Sequence, residues 1–444
     1  MKEELRRVAN LVNRAIKSRG KAGSDASDLV LLRTCLLELV TFQLPAESAR
    51  DRWIGFREFF RTTRKIFSAR EAARRMNDGE GTAILGGYMP YDVLITRYIE
   101  FESAEKVNWY IAKAEWPCGM EGKKFSYWLS WARYAFPLAL KCIFDQRRTN
   151  LGLLVRELHD TAILMHWLKS HQIRVLYDFL PYELDSNLIS LLCREDGINV
   201  VKIPSSGPLS THNKIMIGEE IVFSSPYHEE EYALLKGTIR CNHIRRWGPE
   251  KAYTYIDKYR FHRPAANSGI IGFYSHGSWL RIESDHADVG LNIPEAEELL
   301  LKDLARLSSA RPDLRIKVFL HPRERHESVM ERTRAYYQER LGSAVEFSDA
   351  GVPTAHSFAD AEIAVAAFST ILFERLFCGY KTLIGKYNIP GFPIEGSNLN
   401  HICFSDFDQL MVHINQILAM TDDEFFVKKG LNAYRWDQYP AYRN

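Results

Sequence analysis

The chain has 444 residues, a formal net charge of +2 and 46% hydrophobic residues. This length exceeds that of one ordinary domain, so two or three domains with sizeable cores are expected. The nearly neutral charge argues against nucleic-acid binding as the main function, because that function usually needs a strongly basic domain.

Cysteine spacing and hydropathy restrict the class of protein further. The seven cysteines include no CxxC pair and no Cys/His cluster. This distribution predicts free thiols in a reducing cytoplasm, with neither a zinc site nor a disulfide framework. No uninterrupted run of about 18 apolar residues occurs, so a membrane span is not expected.

The N-terminal third is predicted to be a mainly helical region covering residues 1–150. Apolar residues recur at helical spacing near the start of the chain, Val8 and Val12 among them. The segment 81–88 is predicted as a strand within this region, and the stretch from residue 95 onward as mostly helical.

The segment from Arg52 to Arg75 interleaves arginines with large aromatic residues. This pattern is typical of a basic amphipathic helix on an anionic membrane surface. It is also typical of a solvated cationic face above a packed apolar one. The first interpretation predicts a cytoplasmic protein bound peripherally to the inner membrane face.

Residues 151–265 alternate predicted strands, at 173–177 and 198–203, with helices, which predicts a first Rossmann-like domain. Ligands of such sheets bind beyond the carboxyl ends of the strands. We therefore expect the carboxylates of Asp178, Glu183 and Asp185, which follow the first of these strands, to lie at a ligand site. For Glu183 and Asp185, capping of the next helix is the alternative.

The chain alternates strands and helices in two units, an arrangement suited to a bisubstrate transfer reaction, and hydroxyl-rich loops of the first unit are predicted to contact the acceptor. Such loops suit a ligand with hydroxyl groups, although they are also common as turns. The predicted acceptor-binding residues are Tyr182, Ser205, Ser206 and His212.

A linker around residue 266 precedes a second alternating unit, predicted to be a Rossmann-like domain over residues 266–420. Three of its predicted strands, at 270–274, 316–320 and 363–368, end in polar residues. Parallel strands bring these ends to one edge of the sheet, where a ligand is expected.

The polar residues at this edge are suited to an anion. A histidine and two arginines after the second strand offer charge-assisted hydrogen bonds, and the start of a helix after the third strand offers free backbone N–H groups. The predicted donor-binding residues are His276, Ser278, His321, Pro322, Arg323, Arg325, Ser369, Thr370 and Glu374.

The pair His321-Pro322, followed about fifty residues later by Ser369-Thr370, resembles two motifs of bacterial GT-B glycosyltransferases that use CMP-activated ulosonic acids. Bacterial sialyltransferases, polysialyltransferases and Kdo transferases belong to this group. The resemblance covers mainly residues 270–400. It implies that the His-Pro and serine motifs bind the CMP part of the donor.

The same family carries an acidic motif that ends in glycine, and Glu195-Asp196-Gly197 matches it by letters. These residues lie between a predicted helix and the following strand, at the opposite edge of the sheet from the carboxyl ends. A glycine there is expected simply to end the helix. We therefore assign the catalytic role to the segment from Asp178 to Asp185 instead.

Taken with the resemblance, the sequence predicts an α/β, GT-B-like fold: two Rossmann-like parallel-sheet domains facing a cleft, with an N-terminal helical region. The tail, residues 421–444, is expected to pack back on the first domain. Asp406-Phe407-Asp408 is interpreted as the cap of a helix rather than a metal site.

The predicted function is transfer of a ulosonic acid (Kdo, sialic acid or a related sugar) from a CMP-sugar to a saccharide or glycolipid acceptor. The setting is capsule or lipopolysaccharide synthesis, with no cofactor and no metal required. One alternative is a CDP-alditol transferase or another nucleotide-sugar transferase of GT-B type. A second is a catalytically silent carbohydrate-binding protein.

Overall fold

The computed structural model describes most of the second half of the chain and parts of the first. The described residues are 2–18, 27–41, 73–75, 81–86, 109–112, 133–134, 137, 151–179, 184–204, 215–234, 238–246, 248–249, 268–283, 293–352, 354–367 and 369–439. Helices and strands are numbered below in chain order within these residues.

The first sheet has seven strands in the order β1-β3-β2-β4-β5-β7-β9. The pairs from β3 to β7 are parallel, and β1 pairs antiparallel with β3. The strands are β1 Ala73–Arg75, β2 Thr82–Gly86, β3 Trp109–Ala112, β4 Val175–Asp178, β5 Asn199–Lys202, β7 Glu220–Phe223 and β9 His243–Arg246; β6 Met216–Ile217 and β8 Ile239–Arg240 form a separate parallel pair.

Helices cover this sheet with apolar faces. Leu5, Val8 and Val12 of the first helix lie on one face at helical spacing and are buried, as their pattern predicts. They join a core cluster that also contains Leu176 of β4. These helices are α1 Lys2–Lys17, α2 Asp28–Thr41, α3 Leu151–Ser170 and α4 Leu184–Glu195. The next helix, α5 Pro226–Leu234, instead contributes Tyr227 to the core of the second sheet.

The second sheet has six strands in the order β12-β11-β10-β13-β14-β15, and all its pairs are parallel. Its four-residue central strand β13 is buried along its whole length, as expected for a strand covered on both faces. The strands are β10 Ile270–Tyr274, β11 Arg315–Phe319, β12 Glu346–Phe347, β13 Ile363–Ala366, β14 Thr382–Gly385 and β15 Cys403–Phe404.

The helices of this unit alternate with the strands. Leu300, Leu304 and Leu307 form the buried face of the long helix after β10, and Tyr337 is buried on the next one. The helices are α6 Ser278–Glu283, α7 Ile293–Ala310, α8 Glu327–Leu341, α9 Ile371–Phe377, α10 Phe407–Leu418 and α11 Asp422–Lys428. The two mainly parallel sheets are those of the α/β, GT-B-like fold class that the sequence predicts.

The compact units divide the chain differently from the predicted domains. The first unit comprises Met1–Pro204, Asn213–Val222 and Tyr232–Arg245, and the second comprises Ser205–His212, Phe223–Glu231 and Arg246–Asn444. Among the described residues before 151, the strands β1 to β3 belong to the first sheet, with β2 between β3 and β4, and not to a separate helical region. The main boundary lies near residue 246 rather than 266, since β9 ends there.

The described part of the C-terminal tail packs in the second compact unit. The ring of Tyr439 contacts that of Phe377, with centroids 5.0 Å apart, and Arg435 pairs with Asp423 at 2.5 Å. All four residues belong to the second unit. Tyr439 also lies near Glu229 and Arg246, which belong to the predicted first domain but to the second compact unit. Packing of the tail on the first domain therefore stays a prediction.

Candidate functional site

Three neighbouring strand ends meet at one edge of the second sheet, as predicted. β10 pairs in parallel with β11 on one side and with β13 on the other, and Tyr274 lies opposite Phe319 in the register. The loops that follow these strands therefore leave the same edge of the sheet. The loops after β10 and β11 are in close contact: a Cβ added to Gly277 (φ +67°) would lie 3.3 Å from Cβ of His321.

His321 opens a short 3₁₀ helix, Pro322–Arg325, immediately after β11. Its Nδ1 accepts a hydrogen bond from the backbone N–H of Arg323 at 3.2 Å. A neutral imidazole that accepts at Nδ1 carries its proton on Nε2, which can donate to a ligand oxygen. Pro322 lies at the first helical position, where its missing N–H costs nothing. The motif thus fixes the orientation of the imidazole.

His276 lies on the loop after β10. Its ring centroid is 6.1 Å from that of His321, and its Nδ1 is 3.3 Å from Oγ of Ser278. Ser278 itself is 2% exposed, and its backbone N–H donates to Glu297. The structure therefore brings two predicted donor-binding histidines together, whereas Ser278 supports the loop from beneath.

Ser369 and Thr370 precede α9 after β13. Oγ of Ser369 accepts a hydrogen bond from Ile371 N at 3.4 Å, and Thr370 is the N-cap without a side-chain bond. Both residues are half-buried at the predicted edge. Glu374, one turn further along α9, is buried with 4% exposure. The two hydroxyls, but not this carboxylate, lie where a ligand could reach them.

The two predicted arginines have different surroundings. Arg323 is exposed. Arg325 donates from Nε to Leu320 O at 3.0 Å, from one terminal nitrogen to Val352 O at 2.8 Å, and from the other to Oγ1 of Thr354. These bonds use three of the five guanidinium N–H groups to join two loops, and the predicted role of Arg325 at a ligand phosphate stays a prediction.

Two buried carboxylates beneath this edge were not predicted from the sequence. Glu324 is fully buried and accepts from His321 N at 2.8 Å. Glu297, on α7, accepts from His276 N at 2.7 Å. Burial, and then the neighbouring Glu324 carboxylate, raises the pKa of Glu297 to about 7. Only Glu324 has a sequence signal, because it stands three residues after the helix cap.

Asp178, a predicted catalytic residue, is the last residue of β4 and is fully buried. Its Oδ2 is 2.7 Å from Nζ of Lys202, which is also fully buried, and it accepts a hydrogen bond from Oγ of Ser186. Lys202 also donates to Ser186 O at 2.8 Å. A completely enclosed ion pair favours a structural role for Asp178.

The remaining predicted residues of the first domain are only partly described. Asp185 lies in the first turn of α4, is 2% exposed and accepts from Ser186 N at 2.8 Å. As the second residue of α4 it lies inside the first turn, where a carboxylate is favourable to the helix dipole. The predicted catalytic Glu183 and the predicted acceptor-binding residues lie outside the described residues; the latter are Tyr182, Ser205, Ser206 and His212.

Glu195 and Asp196 lie at the opposite edge of the first sheet from the strand ends, as predicted. Gly197 has φ +70° and ends α4 just before β5. Asp196 pairs with Arg7 at 2.8 Å, and Glu195 pairs with the same guanidinium at 3.2 Å. These acids therefore connect α4 to the N-terminal helix.

No group of His, Cys, Asp or Glu that could hold a metal ion occurs among the described residues. Asp406 caps α10 as predicted, because its side chain accepts from Gln409 N at 2.9 Å. No helix in the described part of the chain is long and apolar enough to cross a membrane. Of the segment Arg52 to Arg75, only the strand Ala73–Arg75 is described, so the predicted membrane-binding helix stays a prediction.

No protein-family model and no curated protein sequence matches the chain. Solved structures with similarity include a UDP-N-acetylglucosamine 2-epimerase (12% identity, TM-score 0.47, 83% of this chain and 94% of that chain). Another is the UDP-GlcNAc 2-epimerase of Neisseria meningitidis (11% identity, TM-score 0.43, 81% of this chain and 96% of that chain). A third is a glycosyltransferase of Rickettsia africae (12% identity, TM-score 0.42, 81% of this chain and 96% of that chain). At these identities and TM-scores we draw no functional conclusion from them.

Proposed function

We propose that the chain is a glycosyltransferase that transfers a ulosonic acid from a CMP-sugar donor to a saccharide or glycolipid acceptor. The observation that supports it is the meeting of His276 and His321, with ring centroids 6.1 Å apart, on loops that leave adjacent parallel strands. The hydroxyls of Ser369 and Thr370 follow the strand on the other side of β10. Such an edge suits the phosphate of a nucleotide.

The chemistry of this edge is stabilisation of a leaving phosphate. When the bond between the sugar and CMP breaks, negative charge develops on the phosphate oxygens. In this proposal, imidazole N–H groups of His276 and His321 and the hydroxyl of Ser369 donate to those oxygens. The exposed guanidinium of Arg323 adds a positive charge nearby. These groups, fixed before the reaction, lower the barrier without reorganisation.

The acceptor also requires a carboxylate in this proposal. If the anomeric centre inverts, the carboxylate deprotonates the acceptor hydroxyl, and if configuration is retained, it attacks the donor as a nucleophile. Asp178 and Asp185 are buried and bonded within their own unit. We therefore propose Glu183, from its place in the sequence, as the first carboxylate to test.

The cellular setting is also a proposal. Synthesis of capsule or lipopolysaccharide supplies acceptors of the required chemistry, some of them lipid-linked. A cytoplasmic enzyme held at the inner membrane face by the segment Arg52 to Arg75 would meet such acceptors. Co-sedimentation with anionic but not neutral vesicles, weakened by salt, is the expected behaviour.

The nucleotide preference tests the central part of the proposal. We expect CMP to raise the melting temperature more than UDP or GDP does, because a ligand that binds only the folded state stabilises it. Calorimetry should show that His321→Ala weakens CMP binding by about 1–3 kcal/mol, the range for a lost charge-assisted hydrogen bond. Ser369→Ala should weaken it in the same direction.

His326→Ala is the matched control. His326 is an exposed histidine five positions further along the chain that caps α8 through its Nδ1. Its loss should reduce stability slightly and leave CMP binding unchanged. Preference for UDP or GDP would contradict the CMP assignment. Equal CMP affinities of wild type, His321→Ala and Ser369→Ala would contradict the placement of the site.

A further inference from the structure

Two buried carboxylates lie directly beneath the histidine loops. Glu324 is fully buried, and Glu297 is 3% exposed. Among the described residues, neither makes an ion pair within 4 Å. Burial of a charge without a paired cation is costly, so hydrogen-bond donors must satisfy these oxygens.

The Glu324 carboxylate joins three elements. Oε2 accepts from His321 N at 2.8 Å. Oε1 accepts from Nε1 of Trp279, at the start of α6, and from the hydroxyl of Tyr337 on α8, both at 2.7 Å. The backbone at His321 is thereby fixed relative to two helices.

The Glu297 carboxylate fixes the backbone of the loop after β10. Oε1 accepts from His276 N at 2.7 Å, and Oε2 accepts from Ser278 N at 3.2 Å. The hydroxyl of Tyr337 connects the two systems, because it also lies 2.6 Å from Oγ of Ser275. Each histidine of the site is thus held through its own backbone N–H by a carboxylate that is shielded from solvent.

We infer that Glu297 and Glu324 are positioning residues of the proposed nucleotide site. This inference depends on the proposed function, since it assigns the two carboxylates the task of holding His276 and His321 against the phosphate of the donor. Both carboxylates accept hydrogen bonds from backbone N–H groups and do not contact the ligand. Their effect on binding is exerted entirely through the placement of the imidazoles.

Replacement of either acid by glutamine separates positioning from packing. Glutamine has the same shape, but its amide nitrogen is a donor and cannot accept the hydrogen bonds that one carboxylate oxygen accepts. In Glu324→Gln, either the His321 loop or the Trp279–Tyr337 pair loses its acceptor. We expect CMP affinity to fall about tenfold in each variant, and affinity for cytidine, which has no phosphate, to stay unchanged.

A double-mutant cycle tests whether Glu324 acts through His321. If it does, Glu324→Gln should have little further effect on CMP affinity once His321 is alanine. A purely structural carboxylate would instead lower the affinities for CMP and cytidine together, and its effect would add to that of His321→Ala. Glu298→Gln is the control, because Glu298 lies next to Glu297 on α7 but bonds to Tyr336 and Arg340. It should leave CMP affinity unchanged.

A milder variant applies if Glu324→Gln does not fold. Trp279→Phe removes one of the two donors to Oε1 and should weaken CMP binding about threefold without affecting cytidine. Unchanged CMP affinity in Glu297→Gln and Glu324→Gln, or full additivity with His321→Ala, would overturn this inference while the proposed function stands. Absence of CMP binding in the wild type would overturn both.

Discussion

Replacement of Asp178 by asparagine distinguishes a structural from a catalytic role for this residue. In the structure its Oδ2 lies 2.7 Å from Nζ of Lys202, and both side chains are completely shielded from solvent. Oγ of Ser186 bonds to the same carboxylate. Asp178→Asn keeps the size of the side chain but removes its charge, so the ammonium of Lys202 stays buried without a counterion.

The expected cost follows from that unpaired charge. Breaking a buried ion pair by removing one partner typically costs about 3–5 kcal/mol, much more than losing a neutral hydrogen bond. Removing both charges should be far less harmful, because replacing a buried pair by apolar residues is often close to neutral. We therefore expect Asp178→Asn/Lys202→Met to recover most of the stability that Asp178→Asn loses.

Urea denaturation of the wild type, both single variants and the double variant measures this directly. The cycle should give a coupling energy of about 2 kcal/mol or more between Asp178 and Lys202. Wild-type stability in Asp178→Asn would refute the reasoning. If that stable variant also lost sugar transfer while still binding CMP, Asp178 would be the catalytic carboxylate, as the sequence first suggests.

Two further predictions concern the second unit. The pKa of Glu297 is raised from 4.5 to about 7. The contribution of this residue to the free energy of unfolding is therefore fully present below pH 4.5 and is lost as the pH rises through 7. Relative to Glu297→Gln, the wild type should therefore lose about 2–3 kcal/mol of unfolding free energy between pH 5 and pH 8. Urea denaturation that gives the same difference between the two proteins at both pH values would contradict this. Arg325→Ala should destabilise the second unit by about 2 kcal/mol, because three hydrogen bonds between loops are lost. It should weaken CMP binding less than Arg323→Ala does. A larger loss of CMP affinity in Arg325→Ala, measured by calorimetry, would favour Arg325 as the ligand contact.

The edge of the second sheet could be predicted because its signals are local. Short apolar runs end in polar residues at His276, His321 and Ser369, and alternation with helices makes the strands parallel. The observed strands β10, β11 and β13 differ from the predicted ones by at most two residues at either end. Adjacency of the three ends then follows from sheet topology.

The supporting residues could not be predicted because their partners are distant in the sequence. Glu297 reads as one more acid on an amphipathic helix, and only the fold brings it to the N–H of His276. Asp178 carries the same strand-end signal as a ligand-binding residue. Its partner Lys202, which decides between the two roles, lies one strand further along.

The domain boundaries failed for a related reason. The sequence predicts a mainly helical region around β2, but this strand lies between β3 and β4, so the described strands before residue 151 belong to the first sheet. A strand inserted between sequence-distant neighbours leaves no local signal of its position.

A crystal structure with CMP bound tests the central claim most directly. Our account predicts that the phosphate lies beyond the carboxyl ends of β10, β11 and β13, with an oxygen about 3 Å from the imidazole of His321. It also predicts that Glu297 and Glu324 remain bonded to the backbone beneath. CMP bound away from this edge, with His276 and His321 making no contact to it, would contradict the account.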